Sequence, residues 1–328
     1  MKIAVLEAAS LGKSVSLDIL SRFGEVVIYQ TTTEEEIAGR ITDADILVIN
    51  RLKMNERTLK TAKQLKYITL TATGVDCIDL DYTNSRGIKV ANIKGYSTDS
   101  VAQHTVSLLL CLADKLSYYD SFVKSGAYSA DTTGAYYNMN YHEIAGKKWG
   151  IVGLGNIGRR VAQIACALGA EVVSFSVSGQ RAQEGFEQVD FETLITVCDI
   201  ISIHTPLTEK SRNLFDYRVF RKMKETAILI NTARGPIVNE RDLARALNEG
   251  LIAAAGLDVL EKEPLPQDSP LLSIQDGTRL VVTPHVGWAS VEARQRSVEE
   301  VAANIDAYLR GIDRNVVNSK TDIRRNGG

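Results

Sequence analysis

The chain has 328 residues, 45% of them apolar and 24% charged, with a formal net charge of −2. That length suits about two domains with cores of their own, and the near-neutral charge gives no general attraction to nucleic acid or to an anionic lipid surface. No apolar stretch is long enough to cross a membrane, and Cys77, Cys111, Cys166 and Cys198 show neither CxxC pairing nor histidines at ligand spacing, so no metal site or disulfide framework is expected.

The first apolar run, residues 3–6, is too short for a signal peptide and ends at Glu7. It reads as a strand, and a cytoplasmic protein is expected. Runs at 26–29, 46–49, 67–70 and 90–92 continue the series, with helix-period segments between them. A long helical pattern follows over 100–124. Ser97, Thr98, Asp99 and Ser100 can cap its start, and its body from Val106 to Ala113 is apolar nearly all round, which predicts a buried helix. The stretch 127–143 holds Tyr128, Tyr136, Tyr137 and Tyr141 without periodicity; it reads as a surface loop covered by a partner subunit or as a loop near the active cleft.

The run 148–152 feeds the turn Gly153-Leu154-Gly155-Asn156-Ile157-Gly158, and a stretch with Val161, Ile164, Ala165 and Leu168 on one helical face leads to a run at 172–176. Strand, glycine turn, helix and strand is the context a dinucleotide fingerprint requires. Gly153 permits the tight turn, Gly155 lets a pyrophosphate approach the backbone, and Gly158 lets helix and strand pack closely. The helix start at Asn156 and Ile157 offers N–H groups to the phosphates. The fingerprint also asks for an acidic residue roughly 20 positions on, at the adenine ribose; Ser176 stands there instead.

Runs at 200–203, 227–231, 253–257 and 280–283 follow, many apolar on both faces as covered parallel strands are. A final helix over 291–309 carries Val298, Val301, Ala302 and Ile305 in one stripe, and the polar tail 319–328 is expected to be poorly ordered. Strand–helix alternation predicts an α/β chain with two Rossmann-like doubly wound parallel-sheet domains and a cleft between them. Residues 1–98 with 291–328 are expected to bind substrate, and 99–290 the dinucleotide.

Three loops after strands of the second sheet carry chemistry-bearing residues, and ligands of open α/β sheets bind at such carboxyl ends. His285, in Thr283-Pro284-His285-Val286-Gly287, can act as general acid or base near neutral pH, or be structural. Arg234, in Asn231-Thr232-Ala233-Arg234-Gly235, is a planar partner for a carboxylate or carbonyl, or a salt-bridge partner of Glu240 and Asp242. Glu263, before Pro264, either sits beside the histidine, orienting the ring and favouring its charged form, or is simply solvated.

The fingerprint, Asn231-Thr232-Ala233-Arg234-Gly235, Gly256-Leu257-Asp258-Val259 with Glu263-Pro264, and Pro284-His285 together resemble the D-isomer-specific 2-hydroxyacid dehydrogenases over nearly the whole chain. Tyr96-Ser97-Thr98-Asp99-Ser100-Val101-Ala102-Gln103-His104 and Trp288-Ala289-Ser290 are similar to the glycerate dehydrogenase (hydroxypyruvate reductase) branch. The resemblance implies a hydride transfer between a nicotinamide dinucleotide and a small D-2-hydroxy acid, D-glycerate and hydroxypyruvate first, glyoxylate also. It implies His285 as proton donor and acceptor, Glu263 as its partner, and Arg234 as the residue that holds and polarises the substrate. It further implies a backbone cradle for the substrate carboxylate at Ala72, Thr73, Gly74 and Val75, with Trp288 at the substrate. Thr73, Thr205, Pro206, Ser211, Thr232, Ala233, Asp258 and Gly287 are implied as cofactor contacts, and a homodimer through the cofactor domains as the assembly. The branch points to NAD(H), while Ser176, with Ser178 and Arg181 nearby, permits NADP(H). A D-lactate or broad-range 2-oxo acid reductase is the alternative within the chemistry, and a dinucleotide-sensing corepressor-like protein the alternative outside it.

Overall fold

All strand pairs in the two sheets are parallel. That is the consequence of β-branched runs that are apolar on both faces and must be covered by helices on both sides. The computed structural model describes residues 1–134, 136, 139–179 and 185–318. The chain divides into two compact units, Met1–Ser97 together with the chain from Ala289 onward, and Thr98–Trp288.

The first unit has strands β1 (Lys2–Val5), β2 (Glu25–Ile28), β3 (Ile46–Ile49), β4 (Tyr67–Leu70) and β5 (Lys89–Ala91), in the order β2-β1-β3-β4-β5. Helices α1 (Glu34–Arg40), α2 (Glu56–Leu59) and α3 (Leu80–Ser85) alternate with them. Every residue of β3 and β4 is buried. The final helix, Val291–Leu309, returns to this unit. Its Tyr308 stacks on Tyr67 with ring centroids 4.3 Å apart, and its Asn304 Nδ2 donates to the Asn92 carbonyl at 2.9 Å.

The second unit opens with α4 (Thr98–Ala113), α5 (Leu116–Lys124) and α6 (Ala127–Ala130). The helix expected to run through 100–124 is therefore two helices. Lys115 adopts a left-handed conformation between them (φ 55°), which ends the hydrogen-bond ladder. Only the first part is a core helix: eight residues of α4 are buried and none of α5. The sheet that follows contains β6 (Lys148–Val152), β7 (Glu171–Phe175), β8 (Glu187–Gln188), β9 (Ile200–Ile203), β10 (Ile228–Asn231), β11 (Ala254–Leu257) and β12 (Leu280–Val282). Helices α7 (Asn156–Ala167), α8 (Phe191–Val197), α9 (Tyr217–Phe220) and α10 (Glu240–Glu249) connect them. The strand order is β12-β11-β10-β9-β6-β7-β8. The order reverses between β6 and β9, so the crevice at their carboxyl ends is the place where ligands enter such sheets.

The two-residue edge strand β8 carries no apolar pattern and went unforeseen. Met139, Asn140, Tyr141, His142 and Glu143 line a cavity of about 490 Å³ together with residues that begin β9 and β10, which is the amino end of the sheet. Of the tyrosines in this stretch, Tyr141 thus lies at the amino end of the sheet, opposite the carboxyl ends that carry the glycine turn; Tyr137 and the tail 319–328 lie outside the described residues.

A buried polar chain crosses the sheet. Trp149 Nε1 donates to Ser202 Oγ at 2.9 Å, and His204 Nε2 lies 3.0 Å from the same oxygen. The other ring nitrogen of His204 is buried without a partner. Burial pushes this imidazole down to about 3. Between that value and the ordinary histidine value of about 6.5, the unfolded chain binds a proton that the folded chain excludes. Stability must fall as pH drops through this window, by up to about 1.4 kcal/mol per pH unit from this group. Denaturant unfolding followed from about pH 6 to about pH 4 is expected to show a shallower decline in His204→Gln than in the wild type; equal slopes would contradict the assignment.

Candidate active site

The three glycines of the turn after β6 meet three different surroundings. Gly153 has φ +92°, and a Cβ there would lie 3.0 Å from the His204 backbone. A Cβ on Gly158 would come within 2.1 Å of the Gly153 carbonyl oxygen, so α7 packs on the turn only without one. A Cβ on Gly155 would meet nothing within 4 Å. Open space over the middle glycine is what a pyrophosphate needs to reach the backbone. Gly155 is also the N-cap of α7 and supplies no side-chain cap, so the first-turn N–H groups around Asn156 and Ile157 face that space with the positive end of the helix dipole. These residues fit a dinucleotide.

On the same carboxyl side of the sheet stand the loops after β10, β11 and β12. Asn231, fully buried at the end of β10, staples the first of them. Its Oδ1 accepts from Ala233 N at 3.0 Å and its Nδ2 donates to the Arg234 carbonyl at 2.9 Å. Arg234 is thus set on a rigid corner, and its Nη1 donates to the Ala233 carbonyl at 2.8 Å. The carboxylates of Glu240 and Asp242, its alternative partners, are turned to the backbone N–H groups of Glu261 and Tyr217. A Cβ on Gly235 would fall 1.9 Å from Leu260, so the Arg234 loop rests directly on the backbone of the loop that carries Glu263.

Glu263 curls back over its own loop, accepting from Leu260 N at 3.2 Å. Its two oxygens lie 3.1 and 2.9 Å from His285 Nδ1. Both side chains are about three-quarters buried. A carboxylate accepts only, so Nδ1 carries a proton toward Glu263, and Nε2 is the nitrogen left for exchange with a ligand. His285 has φ 55°, an uncommon conformation for a side chain of this size.

The anchor of that conformation is Asp258, 2% exposed at the end of β11. Its Oδ1 accepts from Thr283 Oγ1 at 2.6 Å and from Val286 N at 2.9 Å; its Oδ2 accepts from Gly287 N at 2.8 Å. Burial alone would push this carboxyl up. Hydrogen bonds from His104, Thr283, Gly287 and Val286 outweigh burial and hold it below the usual aspartate value. The structure thus puts Asp258 and Gly287, expected to touch cofactor, into the framework of the His285 loop. His104, Ser100 and Asn231 stand in motifs named above, but their roles in this framework were not foreseen; the available signal was Ser100 and His104 one turn apart on a helix with a largely apolar body.

The other predicted residues fall as follows. Ser176 follows β7 with its Oγ 3.2 Å from Ser178 Oγ, and Arg181 lies outside the described residues. Thr205 is buried. Ser211 is fully buried; its hydroxyl donates to the Pro206 carbonyl and accepts from Thr208 N, so it shapes its loop from within. Thr232 Oγ1 lies 2.9 Å from Thr105 Oγ1. Trp288 closes the second unit and is partly buried. In the first unit, Ala72, Thr73, Gly74 and Val75 follow β4, and the carbonyls of Ala72, Thr73 and Val75 accept from Ile93 N, Asn92 Nδ2 and Ile78 N. Among the described residues no cluster of His, Cys, Asp or Glu could hold a metal ion, and no helix is long and apolar enough to cross a membrane.

Residues 106–287 match the family described as D-isomer specific 2-hydroxyacid dehydrogenase, NAD binding domain. A glycerate dehydrogenase of Methylorubrum extorquens is 40% identical over 290 residues, 88% of this chain and 90% of that one. A hydroxypyruvate reductase of Blautia hydrogenotrophica is 34% identical over 325 residues, 97% of this chain and all of its own length. The crystal structure of TT0316 protein from Thermus thermophilus superimposes with a TM-score of 0.86 at 32% identity, covering 97% of this chain and 100% of that chain. The sequence motifs, the parallel sheets and these matches agree: the chain belongs to the D-isomer specific 2-hydroxyacid dehydrogenase family.

Proposed function

We propose that this enzyme reduces hydroxypyruvate to D-glycerate, with glyoxylate as a second substrate, through His285, Glu263 and Arg234. The observation that carries this reading is the His285–Glu263 pair at the end of β12, in the sheet whose β6 leads into the glycine turn. The names of the glycerate dehydrogenase, hydroxypyruvate reductase and glyoxylate reductase relatives support the choice of substrate.

When bound, the reduced nicotinamide dinucleotide supplies the hydride that goes to C2 of the oxo acid. The carbonyl oxygen then gains charge. Glu263, by accepting from Nδ1–H, orients the His285 ring and aims Nε2–H at that oxygen, which takes the proton. Arg234 stabilises the developing charge with a fixed planar cation, a contribution that a mobile ammonium reproduces poorly. Backbone N–H groups of the loop Ala72–Val75 hold the substrate carboxylate. The second unit is the dinucleotide-binding domain and the first the substrate-binding domain.

Ser176 supplies no charge to repel a 2′-phosphate, so we assign NAD(H) on the family's binding domain and keep NADP(H) as an accepted second cofactor. The exposed Leu116, Val123, Tyr128 and Tyr141 on and after α5 support a homodimer that covers them.

A matrix of hydroxypyruvate, glyoxylate, pyruvate and phenylpyruvate against the two reduced cofactors is expected to give the highest kcat/KM for hydroxypyruvate; dinucleotide binding without turnover on any oxo acid would favour a sensor. His285→Ala is expected to lose turnover by a factor of about a thousand or more while still binding dinucleotide, and near-normal turnover would remove the acid role. Glu263→Gln should lower kcat by about tenfold or more, because an amide can present either its oxygen or its nitrogen and no longer fixes which ring nitrogen of His285 carries the proton; an unchanged kcat would exclude the pairing. Ser176→Asp should shift the ratio of efficiencies toward NADH by about tenfold or more, and an unchanged ratio would show that this position does not face the ribose.

A further inference from the structure

The loop that carries His285 holds a left-handed residue between two tied ends, and one side of its anchorage comes from α4. Thr283 Oγ1 donates its only proton to Asp258 Oδ1 at 2.6 Å. The contact of 2.8 Å between that same hydroxyl and His104 Nε2 must then run the other way, with Nε2–H as the donor. His104 Nε2 also lies 3.3 Å from Asp258 Oδ1. One turn earlier on the same face, Ser100 Oγ donates to the Gly287 carbonyl at 2.6 Å. The approach is close: a Cβ on Gly287 would meet Asp258 Oδ2 at 2.8 Å and the His104 ring at 3.2 Å.

We propose that His104 and Ser100 are positioning residues for the hydride-transfer site, bracing the loop 283–287 through Thr283, Asp258 and Gly287 so that His285 stays on Glu263. The proposal rests on the reading of His285 as the proton donor. Neither residue need touch substrate. His104 orders the relay His104 Nε2–H to Thr283 hydroxyl to Asp258 carboxylate, and Asp258 gathers the N–H groups that follow His285 on the chain. Ser100 fixes the far end of the loop. Remove the donor at His104 and the Thr283 hydroxyl is released to turn; the loop can then relax toward a right-handed φ at His285, which carries the imidazole away from Glu263. The same helix braces the neighbouring loop. Thr105 Oγ1 donates to the Val101 carbonyl at 2.8 Å, so in its contact with Thr232 the Thr232 hydroxyl is the donor. Thus α4 supports the loops of both His285 and Arg234.

The test compares two amides at position 104. In His104→Gln the amide nitrogen reaches the place of Nε2 and can donate; in His104→Asn it stops short. Steady-state kinetics with hydroxypyruvate and direct fluorescence titration of reduced dinucleotide are run on both, on Ser100→Ala and on His285→Ala. His104→Asn is expected to lower kcat by about ten- to a hundredfold, the range that small misplacements of reacting groups cause, with dinucleotide affinity changed only a few-fold. His104→Gln should recover most of that loss, and Ser100→Ala should lose kcat in the same direction by a smaller factor, a result that also stands if the asparagine variant does not fold. An unchanged kcat in His104→Asn, equal losses in the two amide variants, or a loss confined to dinucleotide binding would overturn the brace. If His285→Ala is inactive while His104→Asn and Ser100→Ala are unaffected, the brace alone falls; a fully active His285→Ala overturns the reading of the site and the brace with it.

Discussion

A buried carboxylate must be surrounded by donors, and Asp258 satisfies that demand with the loop that follows β12. Its partners in that loop are a hydroxyl and two backbone N–H groups within five residues of one another, Thr283, Val286 and Gly287. Three bonds to one small group leave that loop little freedom. His285 lies inside the tied segment, and its unusual backbone angle is the shape that remains when both flanks are drawn to the same carboxylate. The cost of a left-handed histidine, of order 1–3 kcal/mol, is offset because the surrounding bonds over-determine it.

The sheet converts this local constraint into a site. Parallel strands all point their carboxyl ends the same way, so the turn after β6 and the loops after β10, β11 and β12 share one side of the second unit. Glycine then sets the spacing between loops. Gly235 lets the Arg234 loop touch the backbone at Leu260, Gly287 lets its own loop touch Asp258, and Gly158 lets α7 sit on the turn. At each of these places a methyl group would push the packed pieces apart. The polar groups that hold the loops come from buried side chains, Asn231 and Asp258, whose hydrogen bonds run largely to backbone; such pairs are stiff and keep side-chain geometry within the tolerance that proton transfer needs.

Much of this was legible in the residues. Apolar runs on both faces located the strands to within a residue or so, because burial from both sides leaves no other composition for them. The glycine turn, Arg234, Glu263 and His285 stood out because each follows a strand of one sheet. The break at Lys115 was not legible, since nothing in its side chain favours a left-handed angle and the apolar pattern alone suggests an unbroken helix. The edge strand β8 was invisible for a related reason: its two residues, Glu187 and Gln188, are exposed and carry no apolar side chain to mark a strand. His104 and Asn231 were hidden differently. Their importance lies in contacts made across long sequence separations, 179 residues from His104 to Thr283, or within a corner whose shape only the fold reveals. Asp258 illustrates the limit of motif reading, which located the residue while the fold revealed what its carboxylate holds.

The proposed reaction passes a hydride from bound reduced dinucleotide to one face of C2 of a 2-oxo acid and a proton from His285 to the carbonyl oxygen. Its most direct measurement is a single turnover with hydroxypyruvate and reduced dinucleotide carrying deuterium at the transferable C4 position, followed by chiral analysis of the glycerate. The expected product is D-glycerate with deuterium at C2 and none in solvent. L-glycerate, or a product without deuterium at C2, would contradict it.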